Sequence, residues 1–280
     1  MKTFKTPGEM NSWSVAERSA GRKIAFVPTM GALHDGHLSL LRRARKMADR
    51  LVLSIYINPA QFGPSEDLSR YPRDLEGDIA KTASIGVDAL FLPTDEAIYP
   101  RGFQTFVDVE EVSKPLCGLS RPGHFRGVAT VVAKLLNIVA PDVAIFGEKD
   151  FQQLAMIRRM VADLNMPVEI AGCPIVREPD GLAMSSRNRY LSADERIAAL
   201  SLNHSLLMAQ GLIDDGETDP VALLKRVRLF IEETGLAKID YANLVDPDTL
   251  LDLEAMRRPA LLALAVVIGK TRLIDNRLFI

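Results

Sequence analysis

A chain of 280 residues can fold into one large α/β domain with a smaller companion. With 48% hydrophobic and 25% charged residues it has the composition of an ordinary globular protein, and 34 basic against 36 acidic residues leave a net charge of −2. That balance argues against nucleic acid or an anionic membrane surface as the main partner.

Taken in chain order, Ile24 to Val27 reads as a buried parallel strand. It runs into Pro28-Thr29-Met30-Gly31-Ala32-Leu33-His34-Asp35-Gly36-His37, and then into an amphipathic helix over Leu38 to Met47. Leu51 to Ile57 is a second strand, Asp74 to Ile85 a helix ended by Gly86, and Ala89 to Leu92 a third strand. Gly127 to Val139 is a long apolar helix stopped before Pro141, and Val143 to Phe146 is a further strand. Asp150 is a candidate N-cap for a helix reaching Leu164, and Val168 to Ala171 closes the series. This alternation predicts an α/β fold with a doubly wound, Rossmann-like parallel sheet over residues 1–175. Beyond Cys173-Pro174 come two helices, near Ala193 to Gln210 and Asp219 to Glu233. Strand-like runs follow at Ile239 to Tyr241, Ala263 to Ile268 and Arg272 to Ile274. Residues 176–280 are therefore expected to form a smaller C-terminal α+β domain. No signal peptide is expected at Met1 to Lys5, and no apolar stretch has membrane-spanning length. Cys117 and Cys173 match no metal or redox spacing, so a reducing cytoplasm is the expected location.

The stretch between the first strand and its helix has the form of an anion site. Gly31 and Gly36 permit close backbone approach, and a helix N-terminus offers unpaired N–H groups and partial positive charge to a phosphate. Two of the chain's four histidines, His34 and His37, stand in it. Ligands of doubly wound sheets bind at the carboxyl ends of the strands, where other polar clusters should also lie. Asn58-Pro59-Ala60-Gln61-Phe62 follows the second strand and offers an amide at Gln61. Gly147-Glu148-Lys149-Asp150-Phe151-Gln152-Gln153 puts a lysine at a helix start, where it opposes the dipole unless an anion is bound. Met184-Ser185-Ser186-Arg187-Asn188-Arg189-Tyr190 brings hydroxyls and guanidinium groups together as a phosphate clamp would. Gly63 to Asp74 is a polar loop of lid length, and Cys117 to Gly127 is an ordered, basic, glycine-bearing loop.

H-x-G-H opening a helix, with a Met-Ser-Ser-Arg loop far downstream, resembles the adenylate-forming nucleotidyltransferase superfamily. Pro28 to His37, Asn58-Pro59-x-Gln61-Phe62, Gly147-Glu148-Lys149-Asp150-x-Gln152-Gln153 and Met184 to Ser192 resemble, in order and spacing, the pantothenate synthetase family, the pantoate–β-alanine ligases. The resemblance implies that ATP and pantoate form pantoyl-adenylate and pyrophosphate, and that β-alanine then displaces AMP to give pantothenate. It implies ATP contacts from Met30, Gly31, Ala32, Leu33, His34, Asp35, Gly36 and His37, from Gly147, Glu148, Lys149 and Asp150, from Val176, and from Met184, Ser185, Ser186 and Arg187. Gln61 and Gln153 would hold the small-molecule substrate. It also implies Mg²⁺, with no residue assigned as a direct metal ligand, and a homodimer in the coenzyme A pathway.

A carboxylate nucleophile is already ionised at neutral pH, with a pKa of roughly 4, so the first step needs charge neutralisation rather than a base. His34 and His37 suit that task as N–H donors, and Lys149, Ser185 and Arg187 as holders of the departing phosphates. Another adenylyl- or cytidylyltransferase of the superfamily is the competing enzyme reading, and a non-catalytic nucleotide sensor the competing binding reading. A tRNA synthetase is not expected, because little chain remains for an anticodon-reading domain and the net charge is −2.

Overall fold

The computed structural model describes residues 1–64 and 66–280, which separate into two compact units. The first comprises Met1–Glu110, Arg121–Glu148 and Met156–Pro174; the second comprises Glu111–Ser120, Lys149–Ala155 and Ile175–Ile280.

The first unit is built on a six-stranded parallel sheet. Its strands are β1 (Lys2–Phe4), β2 (Ile24–Thr29), β3 (Arg50–Ile55), β4 (Ala89–Phe91), β5 (Val143–Gly147) and β6 (Glu169–Cys173), in the order β1-β4-β3-β2-β5-β6. The order reverses beside β2, which pairs with β3 on one side and β5 on the other, so the topological switch point lies between β2 and β5. Central strands buried on both faces must be continuously apolar, and Ile24 to Val27 and Leu51 to Leu53 are wholly excluded from solvent. Helix α2 (Asp35–Met47) packs Leu38, Leu41 and Ala44 into the same core as Val27, Leu53 and Ile145. This is the expected doubly wound fold.

Three local readings are corrected. Helix α2 begins at Asp35, a turn before Leu38, because His34 takes the extended backbone of an N-cap (φ −131°, ψ 175°) and Gly36 is already helical. Asp150 closes a 3₁₀ turn, Glu148–Asp150, that runs into α7 (Phe151–Asp163), so winding begins before the expected cap. The N-terminal strand β1 and helix α1 (Pro7–Ser19) lie outside the expected elements. Helix α1 buries only Met10 and Ser14, so its apolar period is faint, although the Thr6–Glu9 capping box with Pro7 at the first helical position was a readable start signal. Helices α3 (Leu75–Ala83), α4 (Asp95–Ile98) and α6 (His124–Val139) complete this unit's helices.

In the second unit an antiparallel sheet runs β7 (Ala237–Val245), β8 (Ala260–Ile268), β9 (Thr271–Phe279), each strand longer than the sequence runs suggested. Its central strand, Ala-Leu-Leu-Ala-Leu-Ala-Val-Val-Ile, is buried almost throughout. Helices α8 (Ala193–Asp214) and α9 (Pro220–Glu232) close its core through Leu202, Leu206, Leu223 and Val227. The short helix α5 (Cys117–Ser120) belongs to this unit.

Candidate active site

The turn after β2 is set by backbone geometry. Gly31 sits at φ +81° and Ala32 at φ +50°, and a Cβ on Gly31 would stand 3.0 Å from Ile55 Cγ2. Thr29 Oγ1 donates to Ser54 O (2.8 Å) and accepts from the Gly31 amide (3.3 Å), tying the turn to the neighbouring strand. His34 then caps α2 and His37 lies in its first turn, with ring centroids 4.1 Å apart and planes tilted by 42°. The His34 amide donates to His37 Nδ1 (3.4 Å), a bond that puts the ring proton of a neutral His37 on Nε2. Both rings are half-buried, at the positive end of a helix dipole.

After β3, Asn58 organises the next cluster. It is 1% exposed. Its Nδ2 donates to Gln61 Oε1 (3.0 Å) and Gly127 O (3.1 Å), and its Oδ1 accepts from Tyr99 Oη (2.8 Å). With its oxygen taken by Asn58, the Gln61 amide turns its Nε2 toward Met30 Sδ (3.3 Å), so Gln61 meets the turn that carries the histidines. Burial pushes the Tyr99 phenol up to about 12, which keeps it a donor. Gly127 allows α6 to pass against this turn: a Cβ there would lie 2.2 Å from Ala60 O.

A second brace reaches Gln61 through its carbonyl, which accepts from His124 Nδ1 (2.9 Å). The His124 Nε2 lies 3.1 Å from Arg121 Nη1, and Arg121 forms a two-point ion pair with Glu66 (2.6 and 2.8 Å). Burial alone would raise the Glu66 carboxyl, but the Arg121 guanidinium outweighs it and holds the group below its usual value. The candidate lid, Gly63 to Asp74, is thus anchored at Glu66 and contains a 3₁₀ turn at Leu68–Arg70. Ser65, within that stretch, lies outside the described residues.

Apart from Gly147 and Glu148, which belong to the first unit, the second unit carries the remaining candidates. Lys149 is half-buried; its Nζ is 3.8 Å from Asp150 Oδ2, and its carbonyl accepts from Asn276 Nδ2 (2.9 Å). The preceding Gly147 has open space where a Cβ would stand and no left-handed φ, so the chain itself does not require glycine there. The two adjacent glutamines divide their labour. Buried Gln152 donates to Val112 O (3.0 Å) and Pro115 O (2.7 Å) and accepts from the Cys117 amide (3.0 Å), which makes it the anchor of segment 111–120. Gln153, about 100° further round the helix, is half-buried.

Val176 and Met184 close a short hairpin through Met184 N–H to Val176 O (2.9 Å), beside the Arg177–Ala183 bridge. Arg177 holds the buried Asp275 by two hydrogen bonds (2.6 and 3.0 Å). Asn188 Nδ2 donates to Glu178 Oε1 (2.6 Å) and Ala183 O (3.0 Å). Ser185 Oγ accepts from the Arg187 amide (3.3 Å), capping a 3₁₀ turn over Ser186–Tyr190. Ser186 is buried while Met184, Ser185 and Arg187 are half-buried, so the expected clamp is an ordered turn rather than a solvated loop.

Comparison with known proteins bears on the whole chain. A family model described as pantoate-beta-alanine ligase matches residues 2–278. A pantothenate synthetase of Syntrophus aciditrophicus is 55% identical over 279 residues, covering 100% of this chain and 98% of that protein. The crystal structure of pantothenate synthetase from Thermus thermophilus superposes with a TM-score of 0.93 at 45% identity, covering 99% of each chain. A pantoate-beta-alanine ligase from Francisella tularensis, solved with beta-gamma ATP and beta-alanine, gives 0.83 at 37% identity over 99% of this chain and 97% of its own. With both units matched from end to end, the chain is a ligase and a member of the pantoate–β-alanine ligase family.

Proposed function

We propose that this ligase joins pantoate to β-alanine through a pantoyl-adenylate. A pantoate carboxylate oxygen attacks the α-phosphorus of ATP, and the bond to pyrophosphate breaks. The β-alanine amine then attacks the acyl carbon, loses a proton and expels AMP. The observation that carries this reading is the imidazole pair at the start of α2, 4.1 Å apart, with the His37 Nδ1 taken by the His34 amide. A ring held with its proton on Nε2 donates to phosphoryl oxygens as their charge grows, without a proton having to be transferred.

In this reading ATP is held by Met30 to His37, Gly147 to Asp150, Val176 and Met184 to Arg187. Lys149, Ser185 and Arg187 stabilise the departing pyrophosphate. Gln61, with its amide orientation set by Asn58, and Gln153 hold the acid; neutral amides suit a hydroxy acid whose carboxylate must stay nucleophilic. Residues 1–175 carry the pantoate contacts and most of the ATP contacts, and residues 176–280 act as a lid domain that contributes Val176 and Met184 to Arg187. Mg²⁺ would accompany the nucleotide, and the Glu148 and Asp150 carboxylates beside Lys149 are hard oxygen donors of the type that would hold it. When bound it would neutralise phosphate charge. Among the described residues no helix is long and apolar enough to cross a membrane. The family resemblance suggests a homodimer, and two isolated cysteines without metal or redox spacing suit a reducing cytoplasm.

Pyrophosphate release tests the reading. Release should require both ATP and pantoate, and pantothenate should form only when β-alanine is added. His37→Ala should lower turnover on the order of a hundredfold, as loss of one transition-state donor does. Release without pantoate, or near-normal turnover of His37→Ala, would contradict it.

A further inference from the structure

The rings of His34 and His37 are aimed by the backbone that leads into them, and that backbone is strained. Gly31 and Ala32 both lie in the left-handed region, Ala32 at φ +50° despite its Cβ. Such a turn persists only where its surroundings hold it. Besides the Thr29 bonds, what holds this one comes from α3, more than forty residues further along the chain.

Asp78 is 1% exposed, and its Oδ1 accepts from the Leu33 amide at 2.7 Å. One turn on, Lys81 Nζ donates to the Leu33 carbonyl at 2.9 Å and lies 3.7 Å from Asp78 Oδ1. Both polar groups of Leu33 are therefore gripped by a charged pair one helical turn apart, immediately before the cap residue His34. The fit extends to Gly31, where a Cβ would stand 3.1 Å from Asp78 Oδ2. Helix α3 is itself fixed by its cap, Asp74 Oδ1 accepting from the Gly77 amide at 3.1 Å. A buried carboxylate is costly unless it is hydrogen-bonded and paired. Here both partners serve one peptide unit of the turn.

We infer that Asp78 and Lys81 are positioning residues for adenylation: they clamp Leu33 and so set the direction in which the His34 and His37 rings face the nucleotide. This rests on the proposed role of that turn in binding ATP. Asp78 is bonded to the Leu33 amide, so it acts through the histidines and not on the substrate.

The test compares Asp78→Ala, Asp78→Asn, Lys81→Met and His37→Ala in the full chain. It reads pantoate-dependent ATP–pyrophosphate exchange, kcat/KM for β-alanine and the folded fraction by circular dichroism. Misaim of reacting groups by about 1 Å costs up to roughly a hundredfold, so Asp78→Ala should lose about ten- to a hundredfold in exchange per folded molecule. The kcat/KM for β-alanine should stay within about twofold, because it reports amine attack on an adenylate already formed and so does not contain the clamped step. Asp78→Asn keeps an oxygen for the Leu33 amide and should recover part of the loss; Lys81→Met should lose several-fold. Should Asp78→Ala fail to fold, the Asn and Met variants carry the same readout. Exchange per folded molecule equal to the parent in all three clamp variants, with His37→Ala defective, overturns the clamp alone. Normal exchange in His37→Ala overturns the reading beneath it. A uniform loss explained by folded fraction would reduce Asp78 to a structural residue.

Discussion

Replacing Gly127 by alanine adds a methyl group where the structure has least room. Its Cβ would lie 2.2 Å from Ala60 O, 2.5 Å from Ala60 C and 2.8 Å from Gln61 Cα. All three are backbone atoms, so no flexible side chain can swing aside. A carbon rests about 3.3 Å or more from a carbonyl oxygen, so α6 and the Pro59–Gln61 turn must part by roughly 1 Å. Overpacking of this kind costs about 1–3 kcal/mol, or roughly 3–10 °C in melting temperature for a chain this size. The shift also pulls on the Asn58 Nδ2 bond to Gly127 O (3.1 Å), and Asn58 orients Gln61. If Gln61 holds pantoate, kcat/KM for pantoate should fall about ten- to a hundredfold, the usual penalty for an ångström of misplacement. The assays are thermal melting and initial rates with pantoate varied. Gly211→Ala is the control: it lies in α8 with nothing within 4 Å of its Cβ position. That change should raise stability by about 0.5–1 kcal/mol and leave kinetics alone. Parental melting and parental kcat/KM in Gly127→Ala would refute the reasoning.

Arg177→Met should cost about 3 kcal/mol in denaturant unfolding, because it strands the carboxylate of Asp275, which is 1% exposed. Adding Asp275→Leu should recover most of that, and a single-variant cost below about 1 kcal/mol would contradict the assignment. The Arg196 hydrogen bond holds the Glu178 carboxyl below its ordinary 4.5, and the same guanidinium outweighs burial to lower Asp180. Carboxyls lowered in the folded state give stability that is present above their ordinary range and lost as pH falls through their folded values. Arg196→Gln should therefore flatten the acid limb of a stability–pH curve below about pH 4.5 while changing its neutral shape little; an unchanged acid limb would count against the cluster. Tyr99→Phe removes the donor to Asn58 Oδ1, which keeps the Ala60 amide (3.3 Å), and should cost about 1 kcal/mol with a several-fold loss in pantoate kcat/KM.

What could be read from the sequence follows the range of the interactions. The β2–turn–α2 unit was legible because its signals are local: an apolar run, a glycine that needs φ +81°, then helical period. The C-terminal sheet was legible in kind but not in length, since polar residues break the apolar runs in the flanks: Lys238 and Asn243 in β7, and Asp275, Asn276 and Arg277 in β9. Long-range partners were invisible. Nothing near Leu33 announces Asp78 and Lys81, and nothing near Gln61 announces Tyr99, Arg121 or His124. Gln152 and Gln153 look alike in sequence, and only the folded segment 111–120 shows that the first is consumed by backbone groups. Lys149 reads as the start of the helix that follows β5, yet it groups with the second unit, its carbonyl bonded to Asn276.

The central claim is that the pantoate carboxylate attacks the α-phosphorus, and one measurement follows the atom involved. With pantoate labelled with oxygen-18 in its carboxylate, mass spectrometry of the nucleotide product should find one labelled oxygen in AMP, carried over when β-alanine cleaves the acyl–oxygen bond. AMP free of label, or label in pyrophosphate or inorganic phosphate, would contradict it.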